Sequence, residues 1–307
     1  MGRTNKFCAI QFCRTGIIAV EMAHRGGEFE IDSITEREGF ENYSDVLFST
    51  PNEAERVAKD LENDLRSIRK IGEIDAPNIS FCLDSRWVFI HSFPLDQNIS
   101  ESERADQITW ELSNYLADSK VEDYVTGTAT LVEMPTLRAS IVLAAAVKRD
   151  LISLFRRVAS RLGLQIVVID VDHFGAEHAL RWNYPEIEDG TVSLVGVKSN
   201  GIDVSIIQNG KPVSYRWGEL VSGMTVPRLV DQLLGQASNG RSPVKKCFFY
   251  GENENASTPL LSDQGGDPPA EIMDPVRNVS LPRQLRRLSR TTFHRYAPAI
   301  GLAMREG

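Results

Sequence analysis

Phe7-Cys8-Ala9-Ile10-Gln11-Phe12-Cys13-Arg14-Thr15-Gly16-Ile17-Ile18-Ala19-Val20 is the stretch on which the fold turns. One apolar run passes through a short polar turn into a second, and His24-Arg25-Gly26-Gly27 then reverses the chain into a third strand. The same order recurs in the second half. Val192-Ser193-Leu194-Val195 leads through Gly196-Val197-Lys198-Ser199-Asn200 into Gly201-Ile202-Asp203-Val204-Ser205-Ile206-Ile207 and the turn Gln208-Asn209-Gly210. Gly16 and Gly201 fall at the same step, where a tight reversal with positive φ calls for glycine. A repeated strand-turn-strand unit in a chain of 307 residues reads as two related domains in tandem, each large enough to bury a core of its own.

With 42% hydrophobic and 25% charged residues, the composition is that of a soluble globular protein. A net charge of −8 argues against nucleic-acid binding, because a surface that tracks phosphates carries a basic excess. No apolar run reaches the roughly 20 residues of a membrane-spanning helix, and no long apolar core follows Met1-Gly2-Arg3-Thr4-Asn5-Lys6. Cys8, Cys13, Cys82 and Cys247 lie in or beside apolar strand-like runs without a Cys-x-x-Cys spacing, which reads as buried free thiols in a reducing compartment.

Thr50-Pro51-Asn52-Glu53 has the form of a capping box, and Ala54, Val57, Leu61, Leu65 and Ile68 mark one face of a helix ending near Gly72. Asn78–Leu83 reads as a buried strand and Val88–Phe93 as an alternating one. A second capping box, Ser100-Glu101-Ser102-Glu103, opens a helix through Ile108, Trp110, Leu112 and Tyr115, and strands follow at Tyr124–Glu133 and Ala139–Val147. This middle block, about 87–147, is an inserted subdomain. A helix at Arg149–Leu162 stops at Gly163, and the continuous apolar run Leu164–Ile169 reads as a strand buried on both faces. The first domain then spans 1–186 and the second 187–307. In the second, a helix at about Pro227–Gln236 and a strand at Lys246–Tyr250 precede a polar loop at about 252–277.

The densest set of potential ligands is Asp170, Asp172, His173, Glu177 and His178. His-x-x-x-Glu-His does not match the helical zinc spacings, and His178 is turned from His173 by about 140° on a helix, so an ordinary helix capped by Asp172 is the reading. No Gly-x-Ser-x-Gly elbow is present. Arg283, Arg286, Arg287, Arg290 and Arg295, interleaved with leucines, suit either a solvated helix face or a surface for anionic groups.

A duplicated meander-plus-helix with an insert resembles the actin-like ATPase fold: α/β, duplicated and ribonuclease H-like, in two domains with an inserted subdomain in the first. The chain further resembles the PilM family of type IV pilus assembly, related to the cell-division actin homologue FtsA. The resemblance is carried by Phe93-Pro94-Leu95 followed by a helix with Trp110-Glu111 and Tyr115, and by Leu143-Ala144-Ala145-Ala146-Val147 leading to Leu162-Gly163-Leu164. It continues in Val168-Ile169-Asp170-Val171-Asp172, Asn209-Gly210, Arg216, Tyr250-Gly251, and Tyr296 to Arg305.

The resemblance implies Asp-x-Gly turns in both phosphate loops, a lysine later in the first, and Gly-Gly beside the adenosine. Here Gln11, Cys13 and Ile18 stand at the first loop's positions, Gly196 and Lys198 at the second's, and Gly251-Glu252 at the third. Neutral Gln11 is a weak Mg²⁺ ligand, Cys13 adds a side chain where phosphate needs close backbone approach, and Glu252 brings a like charge toward the nucleotide. Lys198 alone could favour an anion. The expectation is a pseudo-ATPase with no catalytic residues, no metal and no cofactor, with weak ATP binding left open.

By the same resemblance the chain is a non-catalytic adaptor at a type IV pilus or related secretion apparatus. It would be cytoplasmic and peripheral to the inner membrane through its partner, the cytoplasmic tail of a PilN-like membrane protein. The family binds that tail between the first domain and its insert, with Trp110, Glu111 and Tyr115 on a possible wall. Leu116-Ala117-Asp118 departs from the family's Ile-Pro-Phe at that helix end. Homo-oligomers are open, and the alternative is a nucleotide-binding ATPase or kinase with altered phosphate loops.

Overall fold

The first strands follow from their turns. In a computed structural model describing residues 5–13, 16–38, 51–116, 120–199, 201–238, 242–251 and 268–305, β1 (Asn5–Cys13), β2 (Gly16–Arg25) and β3 (Glu28–Glu38) form an antiparallel meander. Gly26 and Gly27, at φ 62° and 89°, make the two-residue reversal between β2 and β3. Asn209 and Gly210, at φ 50° and 72°, do the same between the later strands β10 (Gly201–Gln208) and β11 (Lys211–Glu219). Positive φ at both central residues matches the right-handed twist of the flanking strands. Gly201 departs from expectation because it has no positive φ: a Cβ there would stand 3.0 Å from the Gly218 carbonyl and 3.1 Å from the Trp217 indole nitrogen, so tight space rather than torsion disfavours a side chain.

Two five-stranded sheets have the same plan. The first runs β3-β2-β1-β4-β8, with β4 (Asn78–Leu83) and β8 (Gln165–Val171) parallel to β1. The second runs β11-β10-β9-β12-β13, with β9 (Thr191–Val197) central and β12 (Lys246–Gly251) and β13 (Ala270–Ile272) parallel to it. A meander followed by parallel crossover strands, repeated, is the duplication that the paired glycine turns announce. Helix α1 (Pro51–Ile71) lies between third and fourth strands of the first copy, burying Val57, Leu61, Leu65 and Ile68 as its periodicity requires. Its expected cap Thr50 lies outside the described residues.

Two expectations fail at sheet edges. β8 is an edge strand, and Val167 is 44% exposed, so an apolar run did not mean burial on both faces. The polar stretch before Pro275 contains β13, three residues that complete the second sheet, followed by fully buried Met273. Residues 252–267 of that expected loop lie outside the described residues.

The chain forms two compact units, Met1–Asp84 with Arg157–Gly307, and Ser85–Arg156. In the first, α4 (Asp172–Asn183) and α6 (Ala297–Met304) exchange sheets. Helix α4 follows the first sheet yet packs Ala176, Ala179 and Leu180 with Leu194, Phe248 and Tyr250 of the second. Helix α6 follows the second yet packs Ala299, Ile300 and Ala303 with Ile18, Val20 and Met22 of the first. The two helices cross at glycine, since a Cβ on Gly175 would meet the Pro298 carbonyl at 2.5 Å. This exchange delivers the polar residues of α4 to the face of the second sheet. Helix α5 (Val226–Ser238) buries Leu229, Val230 and Leu233 with Ile202, Val204 and Ile206 of β10.

The second unit holds the sheet β5-β7-β6, from β5 (Val88–Asp96), β6 (Tyr124–Met134) and β7 (Ala139–Lys148), and the helix α2 (Glu101–Tyr115). The Ser100–Glu103 capping box opens α2 as expected, with Ser100 Oγ accepting from the Glu103 amide. Helix α3 (Arg149–Arg161) ends in a Schellman motif: Leu164 N–H donates to Ala159 O and Gly163, at φ 66°, to Ser160 O.

Candidate functional site

Lys198 follows β9 at the tip of the second sheet's first hairpin, where its amide donates to the Gly201 carbonyl at 3.0 Å. Its side chain turns inward and is 3% exposed. The ammonium lies 2.7 Å from Asp172 Oδ1, 2.7 Å from Asp203 Oδ2 and 4.0 Å from Asp84 Oδ1. These carboxylates come from the start of α4, from β10 and from the residue after β4, so one cation ties three elements together. Burial works against the Lys198 charge, but Asp172, Asp203 and Asp84 outweigh it and hold the lysine protonated well above its ordinary range. Asp172 is pushed up to about 7: burial acts first, Lys198 pulls it back, and Asp84 and Asp203 push it up again.

A second polar chain adjoins the first. Asp203 Oδ1 accepts from the Tyr215 hydroxyl at 2.6 Å. His173, fully buried on α4, has Nδ1 2.9 Å from the Tyr250 hydroxyl and Nε2 3.0 Å from Ser205 Oγ, and Ser205 hydrogen-bonds Glu177. Burial pushes His173 down to about 4 and Glu177 up to about 7. With Glu177 ionised, one proton order satisfies neutral His173: Tyr250 O–H donates to Nδ1, Nε2–H to Ser205, and Ser205 O–H to Glu177. Protonated Glu177 permits the reverse.

The residues singled out in sequence do structural tasks here. Gln11 is buried on β1; its amide nitrogen donates to the Arg295 carbonyl at 3.2 Å and its oxygen accepts from the Ala299 amide at 3.3 Å, holding the segment that enters α6. Cys13 is partly buried at the end of β1, within reach of the Gln11 amide at 3.8 Å. Ile18 belongs to the first sheet's core. Gly196 is glycine because a Cβ would stand 2.4 Å from the Tyr250 hydroxyl, and Gly251 because a Cβ would stand 2.2 Å from the Val197 carbonyl. Glu252 lies outside the described residues.

Asp172 differs from its expected role as a cap. Val171 occupies the N-cap position, and the Asp172 carboxylate serves the His173 amide and Lys198. The ligand-rich set is likewise dispersed: Asp170 pairs with Arg305, while burial, with Arg181 nearby, pushes His178 down to about 4. Among the described residues no group of three or more His, Cys, Asp or Glu side chains is placed to hold a metal ion. The expected arginine helix is absent; that segment forms 3₁₀ turns in which Arg290 pairs with Asp274 and Arg295 with Glu36.

In the second unit, Trp110 and Tyr115 are 61% and 53% exposed on α2, where Leu112 alone is fully buried. The Tyr115 ring lies tilted against His91 at 4.1 Å and Phe89 at 5.8 Å, both of β5, forming an aromatic surface beside a helix end. Glu111 is partly buried on the same helix, and Ala117 and Asp118 lie outside the described residues.

Sequence reasoning missed Asp84, Asp203, Ser205, Tyr215 and Tyr250. One signal was present. Asp203 and Ser205 sit two apart in an otherwise apolar strand, which places both on one face, and a strand buried on both faces must give such groups partners.

No protein-family model matches the chain, and no curated protein matches it in sequence. Its structure is similar to PilM in a PilM-PilN type IV pilus biogenesis complex, with a TM-score of 0.72 at 15% identity over 97% of each chain. It is also similar to the cytoplasmic domain of EpsL, an inner membrane component of the type II secretion system of Vibrio cholerae, with a TM-score of 0.53 at 7% identity over 98% of this chain and 95% of that one. A protein of unknown function from Bacteroides thetaiotaomicron gives 0.54 at 11% identity over 89% and 93%. The fold is that of the actin-like ATPases, mixed α/β with two mixed sheets.

Proposed function

We propose that this chain is a PilM-like adaptor without ATPase activity, working at a type IV pilus or related secretion apparatus. Its partner is the cytoplasmic tail of a PilN-like inner-membrane protein, which places the adaptor at the cytoplasmic face of that membrane. The observation that carries the reading is Lys198. Standing at the second phosphate loop, it is committed to Asp172 and Asp203 inside the protein and is not offered to an anion. Gln11, at the first loop, is committed to the backbone around α6. Among the described residues no helix is long and apolar enough to cross a membrane. The exposed Trp110 and Tyr115 supply a surface suited to a short apolar peptide.

Titration calorimetry with synthetic cytoplasmic-tail peptides from PilN-like proteins tests this directly, alongside a thermal-shift titration with Mg-ATP. The expected result is saturable binding of a tail peptide and no shift with sub-millimolar Mg-ATP. Stabilisation by Mg-ATP with phosphate release would overturn the adaptor reading in favour of an ATPase or kinase.

A further inference from the structure

We propose that the turn carrying Arg283, Arg286, Arg287 and Leu288 is a contact for the anionic lipid surface of a membrane. Although the net charge is −8, the chain has no carboxylate from Ser280 to Tyr296. Other arginines of the C-terminal segment are paired: Arg277 with Glu186, Arg290 with Asp274, Arg295 with Glu36 and Arg305 with Asp170. Arg283, Arg286 and Arg287 are exposed and form no ion pair among the described residues. On β3, which bridges to Ser280, Glu30 and Asp32 are held by Arg25. Three positive charges therefore stand together on one turn with no carboxylate bound to them.

The fold holds this turn in place. Leu281 is buried and Leu285 packs against the first sheet's core, with fully buried Phe293 beyond. Arg286 Nε donates to the Leu281 carbonyl at 2.7 Å, and the Leu285 and Leu288 amides donate to the Pro282 and Leu285 carbonyls. Leu288 itself is 46% exposed beside the arginines. Guanidinium groups bind phosphate oxygens in pairs, and an exposed leucine among them suits the boundary between headgroups and acyl chains. The negative charge elsewhere on the molecule is screened beyond about 8 Å at physiological salt. Each arginine near an anionic leaflet strengthens partitioning about fivefold, so three give on the order of a hundredfold. That reinforces attachment through a protein partner without replacing it. Lipid is chosen over an acidic peptide because the adaptor reading puts the chain at the cytoplasmic leaflet, and to this extent the inference rests on that reading.

The test sediments the full chain with protein-free vesicles, either phosphatidylcholine alone or phosphatidylcholine and phosphatidylglycerol in equal parts. Wild type is compared with Arg283→Gln/Arg287→Gln and with the triple variant that adds Arg286→Gln. The double variant leaves the Arg286 bond to Leu281 intact, so its thermal melting should match wild type. Wild type should bind the phosphatidylglycerol vesicles and not the neutral ones, and binding should weaken between about 50 and about 300 mM NaCl. The double variant should lose about 25-fold in partitioning and the triple variant on the order of a hundredfold. Absence of wild-type binding to phosphatidylglycerol vesicles, equal binding to both kinds, or undiminished binding by the double variant overturns the proposal. Binding to poly-glutamate but not to vesicles overturns it in favour of an acidic protein partner. The vesicles carry no tail peptide and the tail-peptide calorimetry contains no lipid, so failure here is distinct from failure of the adaptor reading.

Discussion

Replacing Glu177 by glutamine should make the protein more stable at pH 8 than at pH 5, relative to wild type. Glu177 is 4% exposed on α4, and its Oε1 has no hydrogen-bond partner. Burial raises its carboxyl from the ordinary 4.5 to about 7, and Ser205 and Arg181 only partly oppose this. A raised folded-state value means that the native protein keeps a proton which the unfolded chain releases. Stability from this group is therefore full below pH 4.5 and falls until about pH 7. The span from 4.5 to about 7, at about 1.4 kcal/mol per pH unit, comes to about 3 kcal/mol. Glutamine cannot ionise, so this pH-dependent loss disappears, and any cost of seating its amide is constant across pH. His173 and His178, both pushed down to about 4, contribute with the opposite sign, which is why the difference between variant and wild type is the informative quantity. Calorimetric melting of both proteins from pH 5 to 8 should show the difference moving by about 5 °C in the variant's favour, at ~2 °C per kcal/mol for a unit of this size. A difference that stays flat would refute the buried protonated carboxyl.

Other consequences are as specific. Gln11→Leu leaves the Arg295 carbonyl and Ala299 amide without a side-chain partner and should cost about 1–3 kcal/mol in urea unfolding; an unchanged midpoint would contradict its structural role. Gly196→Ala drives a methyl against Tyr250 and should cost a similar ~1–3 kcal/mol, whereas a neutral effect would mean that the close approach is not real. Trp110→Ala should change stability by less than about 0.5 kcal/mol yet weaken tail-peptide binding at least about tenfold, and unaltered affinity would remove α2 from the docking surface.

What the sequence made legible was set by local physics. Gly26-Gly27 and Asn209-Gly210 specify their reversals through backbone torsion alone, and the Ser100–Glu103 box specifies where α2 begins. Position within a sheet is a long-range property, so β8 read as a central strand although it lies at an edge, and the three-residue β13 was hidden in polar surroundings. Lys198 shows the same limit at the site. As a letter in a turn it suggests a charge offered to solvent or an anion; its burial depends on Asp84, far upstream, and on α4 crossing to the second sheet. Only the two-residue spacing of Asp203 and Ser205 on β10 hinted that a polar network lay beneath.

A crystal of the full chain grown with Mg²⁺ and a non-hydrolysable ATP analogue bears most directly on whether Lys198 is committed to carboxylates inside the protein rather than to a nucleotide's phosphates. Lys198 should remain on Asp172 and Asp203, with no triphosphate between the two sheets. Ordered phosphates with a coordinated Mg²⁺, and Lys198 swung out of its carboxylates, would contradict that reading.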